Sequence, residues 1–407
     1  MRSWILPIAL LVSLAVPSGA GAQGLPDRPV ELAGGAIRVT GDVTATIGPR
    51  DENAFFNYTD YEHNALRMFR LSLTGAWRPT DRFAVLTEVR SEDVDGIQPY
   101  ALYVRVRPSK AIPLDIQAGR IPPVFGAFAR RSYGSDNPLI GYPLAYQYLT
   151  SLRPDAIPAS ADDLLAMRAR GWLASYPVGS PAAAPGSPLV SAYRWDTGVE
   201  AHLDTQHMEA GVAVTAGTLS RPRVRDDNDG RQFSGRVAWK PIVGLVLGAS
   251  AARGEWLNGS LKNGLVPYAR GGYPQTAFGL DAEYSRAHWI VRSELIVSRW
   301  TLPSLSEPSI TAPLRATSGF VESRYRFTPR FFAAARVDGL TFSRIAGRRL
   351  FGGVATPWDA PVTRIEAGGG VYLERNITLR GVLQRDWRDA GRVHNRTYAS
   401  AQISYWF

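Results

Sequence analysis

The feature that most constrains this chain is an alternation of apolar and polar residues with a period of two, sustained over long segments. In the stretch 36–47 one parity is apolar and the other is polar. The apolar set is Ile37, Val39, Val43, Ala45 and Ile47, and the polar set is Arg38, Thr40, Asp42, Thr44 and Thr46. Successive side chains of a β-strand point to opposite faces, whereas a helix repeats every 3.6 residues. The pattern therefore predicts strands with one apolar face.

The same alternation returns along most of the chain, at 69–77, 100–107, 233–240, 331–338 and 377–386. In 100–107 we assign Tyr100 and Leu102 to the apolar face. The segments run about ten residues, which suffices to cross a bilayer at a tilt, whereas strands of soluble proteins more often run about five or six. Aromatic residues gather at strand ends, as in the girdles at membrane interfaces. They are Trp77, Phe83, Trp239, Trp289, Phe327, Phe331 and Tyr405.

The connections between these segments alternate between long and short. A long link at 48–65 follows the first strand, and later long links lie at 219–231, 257–275, 300–316 and 343–362. Short turns lie at 78–81, 108–112, 204–206, 241–244, 285–287, 328–330 and 374–376. Outer-membrane barrels combine long outer loops with short periplasmic turns and close with an even number of strands. The predicted fold class is all-β, a transmembrane antiparallel β-barrel of about 16 strands. If 166–176 is also a strand, it either extends an extracellular hairpin with 191–203 or raises the strand count to 18.

The N-terminus has the order of a secretory signal peptide. Arg2 precedes a short apolar stretch at 5–16, and Ala20-Gly21-Ala22 then offers a small-residue cleavage site. We predict a signal peptide at 1–22, a short periplasmic segment at 23–34 and the barrel at 35–407. The net charge of +10 would suit nucleic acid, anionic lipid or anionic solutes. The export signal and the lack of a nucleic-acid-binding motif argue against nucleic acid. The chain has no cysteine, so disulfides and thiolate metal sites are not available.

The last strand, 397–407, is amphipathic and ends in Tyr405-Trp406-Phe407. It resembles the C-terminal signal of Gram-negative outer-membrane barrels. The resemblance implies location in the bacterial outer membrane, contact with its lipids, and delivery to the barrel-insertion machinery through the strand that ends at Phe407. Resemblance to porins further implies a homotrimer, whereas the small residues on the lipid side, such as Ala333, Ala335 and Ala367, fit either subunit contacts or lipid.

The third outer link, at about 121–190, is the longest and resembles the third loop of porins, which folds into the barrel and narrows it. It opens with Gly119-Arg120-Ile121-Pro122-Pro123-Val124-Phe125-Gly126, similar to the strand-to-loop passage of phosphate-selective porins. Asp227-Asn228 and Gly235-Arg236-Val237 follow in the order of that family, but its lysine cluster is missing, so phosphate selectivity is not predicted. Ser160 and Asp163 form a predicted capping box before a short helix. The predicted constriction residues are Arg120, Phe125, Arg130, Arg131, Tyr133, Asp136 and Tyr146.

Four tyrosines of this loop, Tyr133, Tyr142, Tyr146 and Tyr148, form an aromatic cluster. They would either stack on sugar or aromatic solutes or pack the loop on itself, and we favour packing.

The polar parity of a barrel faces the lumen. The predicted pore-lining residues are Arg38, Arg70, Arg90, Arg105, Arg107, Arg236, Arg292, Arg324, Arg336, Arg364, Arg380, Glu88 and Glu366, together with acids such as Asp42, Glu294, Asp338 and Asp386. The excess of arginine favours anionic solutes. Alternatively, most of these charges pair across strands and satisfy one another.

The favoured function is a channel for passive or selective diffusion of small hydrophilic solutes, including anionic ones, without a cofactor or metal. Two alternatives remain open. One is a barrel enzyme of lipase or protease type, for which Asp386 and Asp389 near His394 are the candidate dyad. Three histidines lie near short turns, where they do not suit catalysis: His202, His207 and His288. The first two could also suggest a metal site with Asp204. His63 lies in an outer loop. The other is a structural or adhesive barrel that the third loop plugs.

Overall fold

The computed structural model describes residues 25–51, 56, 69–92, 96–109, 111–192, 195–228, 230–265, 271–390 and 393–407. The predicted signal peptide and His63 lie outside the described residues. Within them a sheet of 17 strands is formed, of which 16 close into a barrel, and the short strand Val30–Leu32 pairs onto the first of these. Every pairing in the ring is antiparallel. The predicted all-β barrel and its count of 16 are therefore confirmed.

The barrel strands are numbered β1 to β16 in chain order. They are β1 Ile37–Ile47, β2 Arg70–Thr80, β3 Phe83–Glu92, β4 Gln98–Val106, β5 Leu114–Ile121, β6 Asp196–Asp204, β7 Met208–Thr215, β8 Gln232–Ile242, β9 Leu245–Glu255, β10 Pro274–Arg286, β11 Trp289–Trp300, β12 Leu314–Arg326, β13 Phe331–Phe342, β14 Val362–Glu374, β15 Ile377–Ala390 and β16 Val393–Trp406.

The barrel closes where β1 meets β16. Val43 pairs with Tyr405 in this seam, and the backbones of Gly41 and Phe407 exchange two hydrogen bonds of 3.1 and 3.0 Å. The ring of Phe407 lies over Gly41, where an added Cβ would come within 2.3 Å of it. Closure leaves no strand edge with unpaired backbone groups, which a lipid environment would not tolerate.

The predicted alternation is realised as an apolar outside and a polar inside. On β13 the side chains of Arg336 and Asp338 are 1 % exposed, while Val337 between them is 53 % exposed. Tyr100 departs from its predicted outward place. A β-bulge shifts the pairing so that Glu88 opposes Ala101 and Val89 opposes Pro99. The bulge turns the Tyr100 ring inward, where it is 4 % exposed and its hydroxyl donates to the carbonyl of Ala192.

The connections at one end of the barrel are all short, and this end is called the turn rim. The other end is the loop rim, and the long loops that the structure describes for most of their length there are L3 (122–195), L4 (216–231), L5 (256–273), L6 (301–313) and L7 (343–361). Three short helices lie in them: α1 Leu144–Gln147 and α2 Ala161–Ala166 in L3, and α3 Gly259–Gly264 in L5. No helix in the described part of the chain is long and apolar enough to cross a membrane.

The alternative strand at 166–176 is wrong. The capping box of Ser160 and Asp163 forms as predicted and starts α2, and a 3₁₀ turn follows at Gly171–Leu173. Ser160 accepts from the backbone N–H of Asp163, while Asp163 accepts from that of Ser160. Both bonds satisfy backbone donors that a helix start leaves open, so the local sequence favours a helix over a strand.

The outer face of the barrel is an apolar belt with aromatic residues at the turn rim. Leu280, Val321 and Leu383 are between 55 and 61 % exposed in the middle of the belt. All seven predicted girdle aromatics lie near the turn rim, among them Trp239 at 56 % and Phe327 at 61 % exposure. Amphipathic rings at one level of an apolar surface are typical of an interface between lipid and water.

Candidate pore and constriction loop

Ion pairs between side chains of the barrel wall satisfy many of the charged groups inside the barrel. Arg364 of β14 binds Asp386 of β15 through two nitrogens, each at 2.9 Å, and both side chains are 1 % exposed. The other inner pairs are Arg336 with Glu366 (2.6 Å) and Glu322 (3.1 Å), Arg236 with Asp281 (2.6 Å), Arg292 with Glu283 (3.0 Å), Arg90 with Glu88 (3.0 Å), and Arg70 with Glu92 (3.2 Å). Ion pairs thus account for most of the predicted pore-lining arginines. They join neighbouring strands, except that Arg90 and Glu88 share β3 and that Arg236 of β8 reaches Asp281 across β9.

L3 enters the barrel through a glycine-bounded passage. Gly119 and Gly126 have φ values of +127° and +65°, a region that favours glycine. An added Cβ at Gly126 would lie 2.2 Å from a carboxylate oxygen of Glu294. Between the two glycines the chain turns inward, and Phe125 becomes fully buried against Gly279 of β10. The positions that carry the sequence resemblance therefore direct the loop into the lumen.

The first inner contacts of L3 are made to β9 and β11. The N–H of Gly126 donates to Ser250 Oγ (3.0 Å), and the N–H of Ala127 donates to Glu294 Oε1 (3.0 Å). The hydroxyl of Tyr146, which is fully buried, donates to the same carboxylate at 2.8–2.9 Å. Glu294 thus joins two parts of the loop to one strand.

L3 then crosses to the opposite wall. Asp42 of β1 accepts from the backbone N–H groups of Gly134 (3.3 Å) and Ser135 (3.1 Å). The guanidinium of Arg380 on β15 donates to the carbonyls of Gly134 (2.6 Å) and Asn137. A carboxylate and a guanidinium from the wall therefore hold the backbone of this segment from both sides. Each such bond to a charged group contributes about 1.5–3 kcal/mol.

The centre of the crossing rests on β13 and β14. Glu366 accepts from the N–H groups of Ile140 (3.2 Å) and Gly141 (2.8 Å) and is fully buried. Arg336 donates to the carbonyl of Gly141 (2.6 Å) while it binds Glu366. Asp338 accepts from the N–H of Leu144 (2.5 Å), which opens α1. These charged wall groups replace the water that would otherwise solvate the loop backbone.

The predicted tyrosine cluster packs the loop and anchors it. Tyr142, Tyr146 and Tyr148 are 6 %, 0 % and 1 % exposed, and Phe128 stacks against the first two of them. Tyr133 is half-buried, and its hydroxyl donates to Glu88 of β3 (2.7 Å). The favoured interpretation, packing of the loop on itself, matches this arrangement.

Above the crossing, L3 joins L5, L6 and L7 in an apolar cap at the loop rim. Trp256, Trp300 and Trp358 lie in its core at 2 % exposure or less. The buried carboxylate of Asp359 accepts from the N–H of Ser151 (2.8 Å) and of Ala169 (2.9 Å). On the surface of the cap Asp162 accepts from three backbone N–H groups of 348–350, and those donors, Leu350 first, hold the pKa of its carboxyl below the usual range.

Four arginines lie at the turn-rim end of the lumen. This end, called the turn-rim vestibule, contains Arg38, Arg105, Arg324 and Arg326, which are exposed or partly exposed. Within the described part of the chain none of the four forms an ion pair, although Arg326 lies 5.2 Å from the ring centre of Tyr372. A polar recess of about 460 Å³ near Arg105 and Arg78 opens here, and one of about 370 Å³ lies beside Arg326 and Arg375.

The predicted constriction residues divide into three groups. Phe125, Tyr133 and Tyr146 lie inside the barrel, as do Asp136, whose carbonyl accepts from Arg292 (3.3 Å), and Arg131, which pairs with Glu283. Arg120 does not lie in the constriction: it pairs across strands with Thr197 on the outer face and donates to the carbonyls of Pro99 and Trp195. Arg120 follows Gly119 in β5, so the two residues lie on opposite faces of the strand, and it is Gly119 that faces the lumen. The side chain of Arg130 lies outside the described residues.

The pore-lining predictions also separate by level. Arg70, Arg90, Arg236, Arg292, Arg336, Arg364, Arg380, Glu88 and Glu366 lie around L3, whereas Arg38, Arg105, Arg107 and Arg324 lie towards the turn rim. Arg107 is bound by Asp115 through two bonds of 2.9 and 3.1 Å. Arg388 of β15 donates to the hydroxyl of Tyr148 (3.1 Å) and to the carbonyl of Ala169 (3.0 Å). Sequence reasoning missed it as a loop anchor, together with Asp359 and Ser250. The inward parity of Arg388 and Ser250 was a usable signal, but Asp359 lies in a loop, where no periodicity marks it.

Among the candidate catalytic and metal residues, the structure describes the surroundings of His202 and Asp386. His202 lies near the turn rim, 3.3 Å from Glu209, and among the described residues no group of three potential metal ligands is found. Asp386 is bound by Arg364 and Gln384. The side chains of Asp389 and His394 lie outside the described residues.

Comparison with known proteins finds the fold and no sequence relative. No protein-family model matches the chain, and no curated protein sequence matches it. Among solved structures, the anion-selective porin from Comamonas acidovorans superposes with a TM-score of 0.55 at 12 % identity, over 91 % of this chain and 99 % of that one. OmpT, an outer membrane protein of Vibrio cholerae, gives 0.55 at 8 % identity over 91 % and 98 %. A trimer form of that protein gives 0.54 at 8 % identity over 91 % and 99 %. OmpF of Salmonella typhi, in complex with daunomycin, gives 0.53 at 10 % identity over 93 % and 100 %. The chain therefore has the 16-stranded barrel fold of these outer-membrane proteins, which include a porin.

Proposed function

We propose that this protein is an outer-membrane channel for diffusion of small hydrophilic solutes, with a preference for anions. The observation that carries the proposal is the division of the barrel wall into an apolar outer belt and a charged inner face, with L3 folded inside. Such a wall suits a lipid exterior and an aqueous interior. The porin fold supports the same conclusion.

The preference for anions rests on the turn-rim vestibule. Arg38, Arg105, Arg324 and Arg326 have no partner acid among the described residues, and solvent reaches all four. Fixed positive charge at a pore mouth raises the local concentration of anions and repels cations. One structural neighbour is described as an anion-selective porin, which agrees with this proposal.

A plugged barrel is the second candidate, because L3 is buried so thoroughly. From Leu139 to Tyr148 every residue of the loop is buried, and the cap of L3, L5, L6 and L7 lies directly above. In this arrangement the loop would close the lumen, and conduction would require it to move. The two candidates share the fold and differ in whether current passes.

We also propose that the barrel assembles as a homotrimer in the outer membrane. Ala333, Ala335 and Ala367 form a patch of small side chains on the outer face, and Ala335 lies directly opposite Ala367. A close approach of two walls is easiest where side chains are small. Light scattering of the detergent-extracted protein, corrected for bound detergent, would give three copies per particle, whereas a single copy would contradict the proposal.

The deciding experiment is single-channel recording of the refolded protein in a planar bilayer under a salt gradient. Stable current steps with a reversal potential on the anion side are expected. An Arg38→Gln/Arg105→Gln variant should shift the reversal potential towards cations. A matched variant, Arg286→Gln/Arg385→Gln, removes the same charge from exposed positions on the outer face and should leave it unchanged.

Cation selectivity of the unmodified protein would keep the channel and refute the role of the vestibule. A folded barrel that inserts but never conducts would refute the channel and favour the plugged barrel.

A further inference from the structure

Three arginines lie on one level of the outer face, within four adjacent strands at the loop-rim edge of the apolar belt. Arg253 of β9, Arg299 of β11 and Arg315 of β12 are all exposed and all outward in parity. The register aligns them on one level, because Arg253 pairs with Thr276, Thr276 pairs with Arg299, and Arg299 pairs with Arg315. These three residues are called the arginine row.

The arginine row lacks internal compensation. Arg299 and Arg315 are directly opposite each other on neighbouring strands, where like charges destabilise a sheet. Within the described part of the chain neither they nor Arg253 forms an ion pair. Glu255, the acid two residues after Arg253, is engaged by other groups. It accepts from the N–H of Tyr273 (2.9 Å) and lies 3.8 Å from the ammonium group of Lys262.

The position of the row relative to the belt indicates what would neutralise it. Two residues closer to the turn rim along each strand, Phe278 lies opposite Val297 and is 54 % exposed. Two residues further in the same direction, Leu280 lies opposite Leu295, and they are 61 % and 46 % exposed. Beside Arg253 on the same level, Phe233 is 64 % exposed. An apolar surface that ends in a level row of guanidinium groups matches a molecule with acyl chains below and an anionic group above.

The spacing suits phosphate. Neighbouring strands lie about 4.8 Å apart, so Arg299 and Arg315 can both reach one phosphate, and Arg253 is about two strand spacings from Arg299. Guanidinium groups bind phosphate through paired, charge-assisted hydrogen bonds. We infer that the arginine row binds a phosphorylated lipid headgroup of the outer leaflet, with its acyl chains on Phe278, Leu280 and Leu295. This inference rests on the proposed location of the barrel in the outer membrane with its loop rim outward.

The test measures lipid binding by native mass spectrometry on protein extracted in mild detergent. The probes are bisphosphorylated lipid A, the same lipid without phosphates, and inorganic phosphate. We expect retention of the bisphosphorylated lipid on the unmodified protein and at least about tenfold weaker binding by an Arg299→Gln/Arg315→Gln variant, because two charge-assisted contacts are lost. The matched control, Arg286→Gln/Arg330→Gln, removes two exposed guanidinium groups at the turn rim and should bind the lipid normally.

Equal binding of the lipid with and without phosphates, or equal binding by both variants, would overturn the inference. If millimolar inorganic phosphate displaces the bound lipid as effectively as added lipid does, the inference is also overturned, in favour of a site for free phosphate. Bilayer recordings of the same preparations separate this inference from the proposed function. Normal current steps without selective lipid binding refute the row alone, whereas a barrel that does not enter bilayers refutes the location and the row together.

Discussion

Replacement of Glu366 by alanine tests whether the wall carboxylates hold L3 in the lumen. Glu366 accepts from the N–H groups of Ile140 and Gly141 and binds Arg336, which also donates to L3. The variant removes two hydrogen bonds from the loop backbone to a charged acceptor, each worth about 1.5–3 kcal/mol. A loss of about 3 kcal/mol would raise the ratio of displaced to seated loop roughly a hundredfold.

The assay for this variant is single-channel recording at constant voltage. Glu366→Ala should show larger and more frequent current fluctuations than the unmodified protein, because the displaced loop changes the cross-section of the lumen. Glu322→Ala is the matched control. Glu322 also binds Arg336 (3.1 Å) and is buried, but among the described residues it makes no hydrogen bond to L3. Identical current records for Glu366→Ala and Glu322→Ala would refute the anchoring argument.

Two further predictions concern barrel closure and the cap. Gly41→Val should weaken the seam between β1 and β16, because a Cβ would lie 2.3 Å from the ring of Phe407. In gel electrophoresis of heated samples, the folded band should disappear at a lower temperature than for the unmodified protein. An unchanged temperature would contradict the prediction. Asp162→Asn should speed tryptic cleavage at Arg348, because the backbone N–H groups of 348–350 lose a charged acceptor. The folded pKa of Asp162 lies below its unfolded value, so this contact is fully present above the unfolded pKa and is lost as the pH falls through the lowered one. Amide exchange at 348–350 should therefore lose protection in acid in the unmodified protein, and acid-independent protection would contradict the argument.

The cross-strand arrangement of the lumen was open to sequence reasoning because strand parity is a local property. The alternation predicts that the side chains of Arg364 and Asp386 both face the lumen, so only the register between β14 and β15 was needed to pair them. Parity failed at Tyr100, because a bulge adds a residue to one strand without a mark in the sequence. It failed at Arg120 for a different reason: this residue belongs to the end of β5, where the outward parity applies, rather than to the loop.

The anchoring of L3 could not be predicted from the sequence. Ile140 and Glu366 are 226 positions apart, and Leu144 and Asp338 are 194 apart. No periodicity links a loop backbone to a distant carboxylate, and the same inward charges could equally have lined an empty channel. Only the folded chain shows that Asp42, Glu294, Asp338 and Glu366 bind the loop.

By itself the sequence determined the strands, their inward and outward faces, the alternation of loops with turns, and hence a closed barrel of 16 strands. These follow from a period of two and from short connections, both of which act between near neighbours in the chain. The tertiary structure alone decided the path of L3, the cap over the loop rim, the vestibule at the turn rim and the alignment of the arginine row. Each of these depends on contacts between residues far apart in the chain, which form only once the barrel has closed.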